Sequence, residues 1–344
     1  WKYVEASNTT SPFSFTIDYT KLLTGSVVAG DIIQYFVTAQ DLNATPRIGL
    51  NNGGFTLQPT SVNLAAANFP LNNTINQYVI VTTPYTGTIN VGPTETITSL
   101  TNAGGLFNLL NTGVVSGNIT VNITGDLTAE TGTNALNQWA EEGSGNYSIT
   151  IVPSSATTRI ISGSSAAASL IRLDGADRVT IDGRFSGSGS YLTIRNTSTA
   201  APTIGFVNDA QNNTLRNSII ESGNTATSTT LGGAVLIGSS NVVNGNGNDN
   251  ITITNCEIRD RSDVVGTPTI GINCVGNNSG PFGLYNNNIT ISNNNIHDWF
   301  LANNANQFGL QIGVGNSNFT ITGNSFYHTA TRTNTVSGAV TRAI

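Results

Sequence analysis

The chain has 344 residues, of which only 9% are charged, and its formal net charge at pH 7 is −6. This low negative charge argues against nucleic acid and anionic membranes as partners, because both require basic patches on a protein. No apolar run approaches the ~20 residues that cross a bilayer, so we expect no membrane insertion. Thr, Ser, Val and Ile are abundant and strong helix formers are scarce, which predicts an all-β fold.

Residues 1–57 carry the alternating pattern of short β-strands. The stretches FSFTIDY (13–19) and DIIQYFVTAQD (31–41) alternate apolar and polar residues and are joined by a turn that contains glycine. Tyr35 stands near the start of a late strand, as a tyrosine does at the corner of immunoglobulin-like sandwiches. This segment predicts a partial immunoglobulin- or fibronectin-like β-sandwich module. Residues 58–98 are irregular and rich in Thr and Pro, and we expect them to form a linker or a wrapping segment.

A short amphipathic helix is predicted near residues 99–112. Five apolar residues lie near helical spacing there, and Gly113 ends the pattern. We expect this helix to cap the open end of a solenoid that occupies 99–344, because an uncapped end exposes apolar side chains and unpaired strand edges. The first coils are predicted in GNITVNITGDLTAE (117–130) and NYSITIVPSS (146–155).

Five later segments repeat one pattern at intervals of 30–38 residues. Each contains a threonine that is followed at once by an apolar residue, and two positions later by Gly or Asn, which accept a positive φ angle most readily. The threonines are Thr180, Thr214, Thr252, Thr290 and Thr320. The apolar residues are Ile181, Leu215, Ile253, Ile291 and Ile321, and the bend residues are Gly183, Asn217, Asn255, Asn293 and Gly323. Such a period is typical of a solenoid.

A second strand precedes every copy except the first, beginning at positions 202, 233, 270 and 308. Short strands joined by one bend, with no helices between them, favour a parallel β-helix over leucine-rich or propeller repeats. Coils of such a helix stack ~4.8 Å apart, so Ile253 should lie over Ile291 as part of an internal ladder. Asn217, Asn255 and Asn293 should form a ladder of side-chain amides at a corner.

The segments before the repeats carry a family resemblance. WKYVEA (1–6), FSFTIDY and GDIIQYFVTAQD, followed by SLTNAGGLFNLLN and GNITVNITGDLTAETGTNALNQWAEEG, resemble large bacterial surface proteins exported by the type IX route. The resemblance implies sandwich modules before a right-handed, pectin-lyase-like β-helix, and an extracellular or cell-surface location. The C-terminal sorting domain of that family is not in this sequence, and we expect the β-helix to be truncated at SGAVTRAI (337–344).

Several carboxylates are candidate catalytic residues. A polysaccharide lyase would need carboxylates that hold Ca²⁺ on one outer face, with a nearby Arg or Lys as base, and RLDGADRVTIDGR (172–184) offers Asp182. A surface ion pair between Asp182 and Arg216 is the simpler interpretation. A glycosidase needs two carboxylates ~5–9.5 Å apart, and Asp260 and Asp298 occupy matching positions in adjacent coils. These two are either solvated loop residues or part of a cation site or an active site.

No cofactor and no firm metal site is expected from the sequence. Asp249 in NGNGNDN (244–250) is a weak calcium candidate, with a polar turn as the alternative. Cys256 and Cys274 are expected to be buried free thiols that fill core space. Outward hydroxyl columns such as Thr252 and Thr290 match ordered water or a crystalline polysaccharide, although threonine also simply suits an exposed strand.

The composition and the repeats favour a structural function. The leading hypothesis is an extracellular, adhesive β-helical protein that forms a rigid segment of a cell-surface adhesin, stalk or fibre. The alternative is a polysaccharide lyase or glycoside hydrolase that acts on an extracellular glycan, and a carbohydrate-binding module without turnover is a third hypothesis. Expected partners are a surface polysaccharide or further copies of the chain stacked end to end, since terminal strands present unpaired N–H and C=O groups.

Overall fold

A computed structural model of the protein is almost entirely β-structure. Its contacts divide the chain into two compact units, Trp1–Thr83 and Pro84–Ile344. The residues that it describes are 1–52, 54–56, 59, 62, 71–72, 75–80, 83–242, 245–264, 266–279, 282–303 and 306–344.

The first unit contains short antiparallel strands. They pair as β1 with β6, β2 with β3, and β4 with β5. Their bounds are β1 (Ile32–Tyr35), β2 (Thr38–Gln40), β3 (Ile48–Leu50), β4 (Gly54–Phe55), β5 (Leu71–Asn72) and β6 (Asn76–Val79). The described residues thus form three separate two-stranded sheets, and the sandwich module remains a prediction.

The strand predicted at 13–19 is wrong. Residues 13–18 belong to no strand, and a 3-10 helix follows at Tyr19–Lys21. Asp18 caps this helix, because its carboxylate accepts hydrogen bonds from the main-chain N–H (3.0 Å) and the hydroxyl (2.6 Å) of Thr20. Local side-chain capping of this kind competes with strand pairing. Several residues of the predicted linker, 58–98, lie outside the described residues.

The second unit is built from three parallel sheets. The first sheet contains β10 (Leu136–Asn137), β14 (Ile171–Asp174), β17 (Ile204–Val207), β20 (Val235–Ile237), β23 (Ile270–Cys274), β26 (Asn306–Ile312) and β29 (Val340–Arg342). The second sheet contains β7 (Tyr85–Val91), β8 (Val114–Ile123), β11 (Ala140–Glu141), β12 (Ile149–Pro153), β15 (Val179–Asp182), β18 (Thr214–Arg216), β21 (Thr252–Thr254), β24 (Asn286–Ser292) and β27 (Asn316–Thr322). The third sheet contains β9 (Leu127–Glu130), β13 (Arg159–Gly163), β16 (Leu192–Asn196), β19 (Ile219–Ser222), β22 (Glu257–Arg259), β25 (Asn295–His297) and β28 (Ser325–Tyr327).

Each later turn of the chain gives one strand to each sheet, as in the succession β14, β15, β16. Every such strand pairs in parallel with its equivalent in the next turn, which is the arrangement of a parallel β-helix. The predicted stacking of Ile253 on Ile291 is confirmed, since these two residues are direct partners in β21 and β24. The handedness of the coil stays a prediction.

The threonine column is longer than the sequence alignment suggested. Direct parallel partners link eight threonines in eight strands of the second sheet. They are Thr88, Thr120, Thr150, Thr180, Thr214, Thr252, Thr290 and Thr320. The apolar column beside it supplies the core, because Leu215, Ile253 and Ile291 are fully buried. Burying an isoleucine contributes about 1.5–3 kcal/mol.

β14 and β7 are among the strands that the sequence analysis did not place. β14 precedes the first aligned copy. Its residues alternate as in a half-buried strand, with Arg172 and Asp174 in an ion pair of 3.6 Å, but this stretch was interpreted only as a candidate site. β7 lies within the segment assigned to a linker and pairs with β8. The parallel stacking therefore begins at Tyr85.

A seven-residue helix, α1 (Leu106–Thr112), lies within the region predicted to be helical. Its buried side chains include Phe107 and Leu110, which belong to the core cluster. The turn before it is fixed by buried Glu130, which accepts hydrogen bonds from Leu100 N–H (2.8 Å) and Thr101 N–H (2.7 Å). The capping role of this helix remains a prediction.

The bend residues adopt the expected backbone, with one exception. Asn217, Asn255 and Asn293 have φ angles of 51°, 53° and 55°. Gly183 does not share the left-handed region; there a Cβ would lie 1.9 Å from the Asn217 carbonyl oxygen, so close packing requires the glycine. Gly323, with φ 66°, again occupies the left-handed region.

The hydrogen bonds of the described residues do not show the amide ladder predicted at the bends. Among the described residues, no hydrogen bond joins the side chains of Asn217, Asn255 and Asn293. After Asn293 the next residue points inward: Asn294 is fully buried and donates to the Asn324 side chain (2.9 Å) and to the Ile253 carbonyl (2.9 Å). Side-chain amides also join coils at another column, where Asn250 donates to Asn212 Oδ1 (3.1 Å) and Asn288 donates to Asn250 Oδ1 (2.6 Å).

Candidate functional site

Asp182 is held by arginines within and between coils. It ends β15 and lies directly beside Arg216 of β18, as predicted. Its carboxylate accepts hydrogen bonds from Arg216 Nε (2.9 Å) and from Arg184 Nη2 (2.9 Å), and the residue is only 6% exposed. Burial opposes ionisation, but Arg184 and Arg216 outweigh it and lower the pKa of Asp182. This geometry is that of a structural ion pair.

The arginine that a lyase could use as a base beside Asp182 is also engaged. Arg178 donates from Nη2 to the Glu141 carboxylate (2.9 Å) and from Nε to the Tyr147 carbonyl (3.0 Å). Asp177 accepts the main-chain N–H of Gln211 from the next coil (2.8 Å). Arg178 and Asp177 are therefore engaged in contacts of their own, separate from those of Asp182.

Asp260 and Asp298 do come together, and His297, from the same coil as Asp298, joins them. One ligand atom from each of the three residues lies within 4.8 Å of the others. Asp260 follows β22 and Asp298 follows β25, so the parallel pairing of these strands sets the carboxylates side by side. The sequence analysis paired the two aspartates but did not foresee the histidine.

We call the group of Asp260, His297 and Asp298 the Asp298 cluster. Asp298 is the carboxylate of this cluster that accepts the most hydrogen bonds. It accepts hydrogen bonds from Thr329 N–H (3.0 Å), Thr329 Oγ1 (2.7 Å) and Arg332 Nη2 (2.6 Å), and it pairs with His297 Nδ1 (3.0 Å). Its burial opposes ionisation, but these partners outweigh it and place the pKa of Asp298 well below its ordinary value. The bonds occupy the lone pairs that a cation or a substrate would need.

His297 joins two strands of the third sheet. Its Nε2 lies 3.2 Å from the Glu257 carboxylate, and its ring stacks on Tyr327 with centroids 4.7 Å apart. Burial opposes the charged form, but bonding to Glu257 and Asp298 outweighs it and raises the pKa of His297. Burial and the charge of Asp298 raise the pKa of Asp260.

The Asp298 cluster therefore holds two carboxylic acids whose pKa values are shifted in opposite directions. An acid and a nucleophile require such a separation of pKa values. Retaining glycosidases hold their two carboxyl groups ~5–5.5 Å apart, and here one oxygen of each carboxylate lies within 4.8 Å of the other. The full set of donors on Asp298 opposes a nucleophilic role. Sequence reasoning missed His328 and Arg332; the signal for Arg332 is its interval of one coil from Asp298.

Asp249 belongs to no group of metal-ligating side chains found among the described residues. Its carboxylate accepts the main-chain N–H of Asn287 from the next coil (2.8 Å). Burial, with the charge of Asp209, raises the pKa of Asp249 to about 6.

The rest of the motif around Asp249 is explained by the fold. Asn248 is fully buried and donates to the Asn286 side chain (3.0 Å). Gly247 has φ 91°, and a Cβ there would lie 2.2 Å from the Tyr285 carbonyl oxygen. Residue 244 of the motif lies outside the described residues.

No protein-family model, curated protein or solved structure matches this chain. In the part of the chain that the structure describes, none of the helices has the length and apolar character needed to cross a bilayer. The assignment of function therefore depends on the geometry of the chain itself.

Proposed function

We propose that this chain is a rigid, non-catalytic β-helical segment of an extracellular surface protein, such as an adhesin, stalk or fibre. The observation that supports it best is that the candidate catalytic carboxylates, Asp182 and Asp298, are engaged in structural hydrogen bonds. Both are buried, and both accept hydrogen bonds from arginines that belong to neighbouring coils or loops. A carboxylate that ties coils together contributes to stiffness and is poorly available to a substrate.

The extracellular location belongs to the same proposal. A surface of Asn, Thr, Ser and Gly with only 9% charged residues suits an exported protein, and the resemblance to proteins of the type IX route points the same way. Stacked parallel coils with a continuous buried core give the stiffness that a stalk requires.

Replacement of the two carboxylates separates a structural role from a catalytic one. Asp298→Asn and Asp182→Asn should each destabilise the protein by about 3 kcal/mol, because breaking a buried ion pair leaves its partner uncompensated. Asp263→Asn is a matched control, since Asp263 pairs with Arg261 (2.9 Å) but is 36% exposed at its side chain; it should cost at most ~1 kcal/mol. Chemical denaturation measures all three.

An activity screen completes the test. The purified chain is incubated with pectin, alginate and neutral glycans, with and without Ca²⁺, and new reducing ends and unsaturated products are measured. We expect no turnover. Turnover that Asp298→Asn abolishes without loss of stability would overturn the proposal.

One specific observation favours the alternative, a glycoside hydrolase. In the Asp298 cluster the pKa of Asp260 is raised while that of Asp298 is lowered. Under this alternative Asp260→Asn would remove activity and leave stability unchanged, since no described residue makes a hydrogen bond to the Asp260 carboxylate. The same screen therefore distinguishes the two functions.

A further inference from the structure

A polar groove lies beside the second sheet. Its volume is about 380 Å³, and residues from successive coils line it. They include Gln211, Asn246, Asp249, Tyr285, Asn287 and Ser317. We call this feature the Asp249 groove.

The Asp249 groove follows the axis of the β-helix. Gln211, Asp249, Asn287 and Ser317 each stand three residues before a threonine of the paired column, so they are equivalent positions of four successive coils. Coils of a parallel sheet are spaced ~4.8 Å apart. The groove thus offers a similar polar side chain at each step along the axis, and a linear polymer with a short repeat matches such a row.

The lining can donate and accept hydrogen bonds, and its charge is negative. One Asp249 oxygen accepts the Asn287 N–H (2.8 Å), and among the described residues the other oxygen has no hydrogen-bond partner. Among the described residues that line the groove there is no arginine or lysine. Asp209, which accepts the Asn246 N–H (2.8 Å), adds a second carboxylate nearby. An acidic polymer would be repelled here.

The threonine face continues this surface across the second sheet. Thr214, Thr252 and Thr290 stand three positions after the groove residues, and their side chains are partly exposed. None of the eight threonine hydroxyls of the column forms a hydrogen bond with another described residue. These hydroxyls are therefore available for hydrogen bonds to a ligand that lies against the sheet.

We propose that the Asp249 groove binds a glycan chain without acidic groups, laid along the axis of the β-helix. Sugar hydroxyls pair with the amide and carboxylate side chains, one coil after another, and amino groups on the sugar would pair with Asp249. Uronate polymers such as pectate and alginate are excluded by the carboxylates. This inference goes beyond the structural role proposed above, and it requires no turnover.

Calorimetry with three hexasaccharides tests it on the whole chain. Cellohexaose and chitosan hexamer should bind, and hexagalacturonate should not. Gly283→Phe adds a side chain at the groove, where a Cβ meets nothing within 4 Å, and it should weaken binding at least tenfold without unfolding the protein. Gly49→Phe is the matched control, because Gly49 also faces open space but does not line the groove; its affinity should equal that of the wild type.

A second pair of variants tests the contribution of the carboxylate. Asp249→Ala should weaken chitosan binding at least tenfold. Asp126→Ala is its control, since Asp126 likewise accepts one main-chain N–H from a neighbouring coil, that of Ile160 (3.0 Å), away from the groove. The inference is overturned if no hexasaccharide binds, if hexagalacturonate binds as tightly as the others, or if Gly283→Phe leaves binding unchanged. None of these results would affect the structural proposal, which depends on stability and turnover.

Discussion

At the scale of single residues, the bend asparagines explain why the sequence repeats its letters. Asn255 needs a positive φ angle of 53°, and among the described residues its side chain bonds only to Thr254 Oγ1 (3.2 Å). Gly adopts this conformation at the least cost, followed by Asn and Asp. The backbone of the bend, and not an amide ladder, selects the asparagine at this position.

Substitutions at position 255 test this explanation. Asn255→Gly should change the free energy of unfolding by less than ~0.5 kcal/mol, because glycine adopts positive φ freely. Asn255→Val should cost at least ~1–2 kcal/mol, since a β-branched residue is strained there. Urea denaturation gives both values. Equal costs for Gly and Val would show that the amide itself matters.

The two histidines should affect stability with opposite dependence on pH. The pKa of His297 is raised in the folded chain, so its stabilising contribution is complete below the ordinary histidine value, ~6.5, and is lost as the pH rises through the raised value. Burial lowers the pKa of His328, so that residue costs stability as the pH falls. Each histidine thus serves as the control for the other.

Melting temperatures of His297→Gln and His328→Gln between pH 5 and pH 9 measure this difference. The deficit of His297→Gln relative to wild type should be largest near pH 5 and should shrink toward pH 9. His328→Gln should gain relative to wild type as the pH falls. Parallel pH curves for both variants would contradict the assignment of the Asp298 cluster.

At the scale of strands and coils, the periodic parts of the fold could be predicted and the aperiodic parts could not. Thr252, Ile253 and Asn255 each recur in register, so their columns identified the coils directly. β7 contains the same Thr-Ile pair at Thr88, but the helix and loops before β8 interrupt the period and hid it.

The candidate site shows the same limit. Asp260 and Asp298 were paired from their matching positions after the repeats. His328 directly follows Tyr327, the partner of His297, so it occupies the position of Asp298 in the next coil. Arg332 comes from the loop beyond β28, and only its interval of one coil from Asp298 signals it. The Asp249 groove also formed from equivalent positions, but its residue types differ in every coil, which concealed the column.

Alanine substitutions in the apolar ladder should destabilise the protein by an amount that depends on how deeply the replaced residue is buried. Ile253→Ala should destabilise by about 2–5 kcal/mol, because Ile253 is fully buried and paired on both sides. Ile321→Ala should cost clearly less, since Ile321 is only partly buried. Thr252→Ala is the control on the outer face and should cost less than ~0.5 kcal/mol. Similar costs at Ile253 and Thr252 would contradict the inward orientation of the ladder.

At the scale of the second unit, the account describes a rigid stack of parallel coils with polar surfaces along its length. Charged residues are few, and the described ones that are buried are joined across coils or loops, as Asp182 is to Arg216 and Glu221 to Arg195 and Arg259. Stiffness and surface binding are compatible, because ligands would lie on side chains that the stack already holds in place.

The register of neighbouring coils is the claim on which the columns, the Asp298 cluster and the Asp249 groove all depend. It is tested most directly by disulfide formation between paired cysteines, in a chain whose two native cysteines are replaced by alanine. Thr252→Cys with Thr290→Cys should oxidise readily, because partners in adjacent parallel strands lie ~4.8 Å apart, within disulfide range. Thr214→Cys with Thr290→Cys, two coils apart, should stay reduced. Cross-linking of the second pair and not the first would contradict the account.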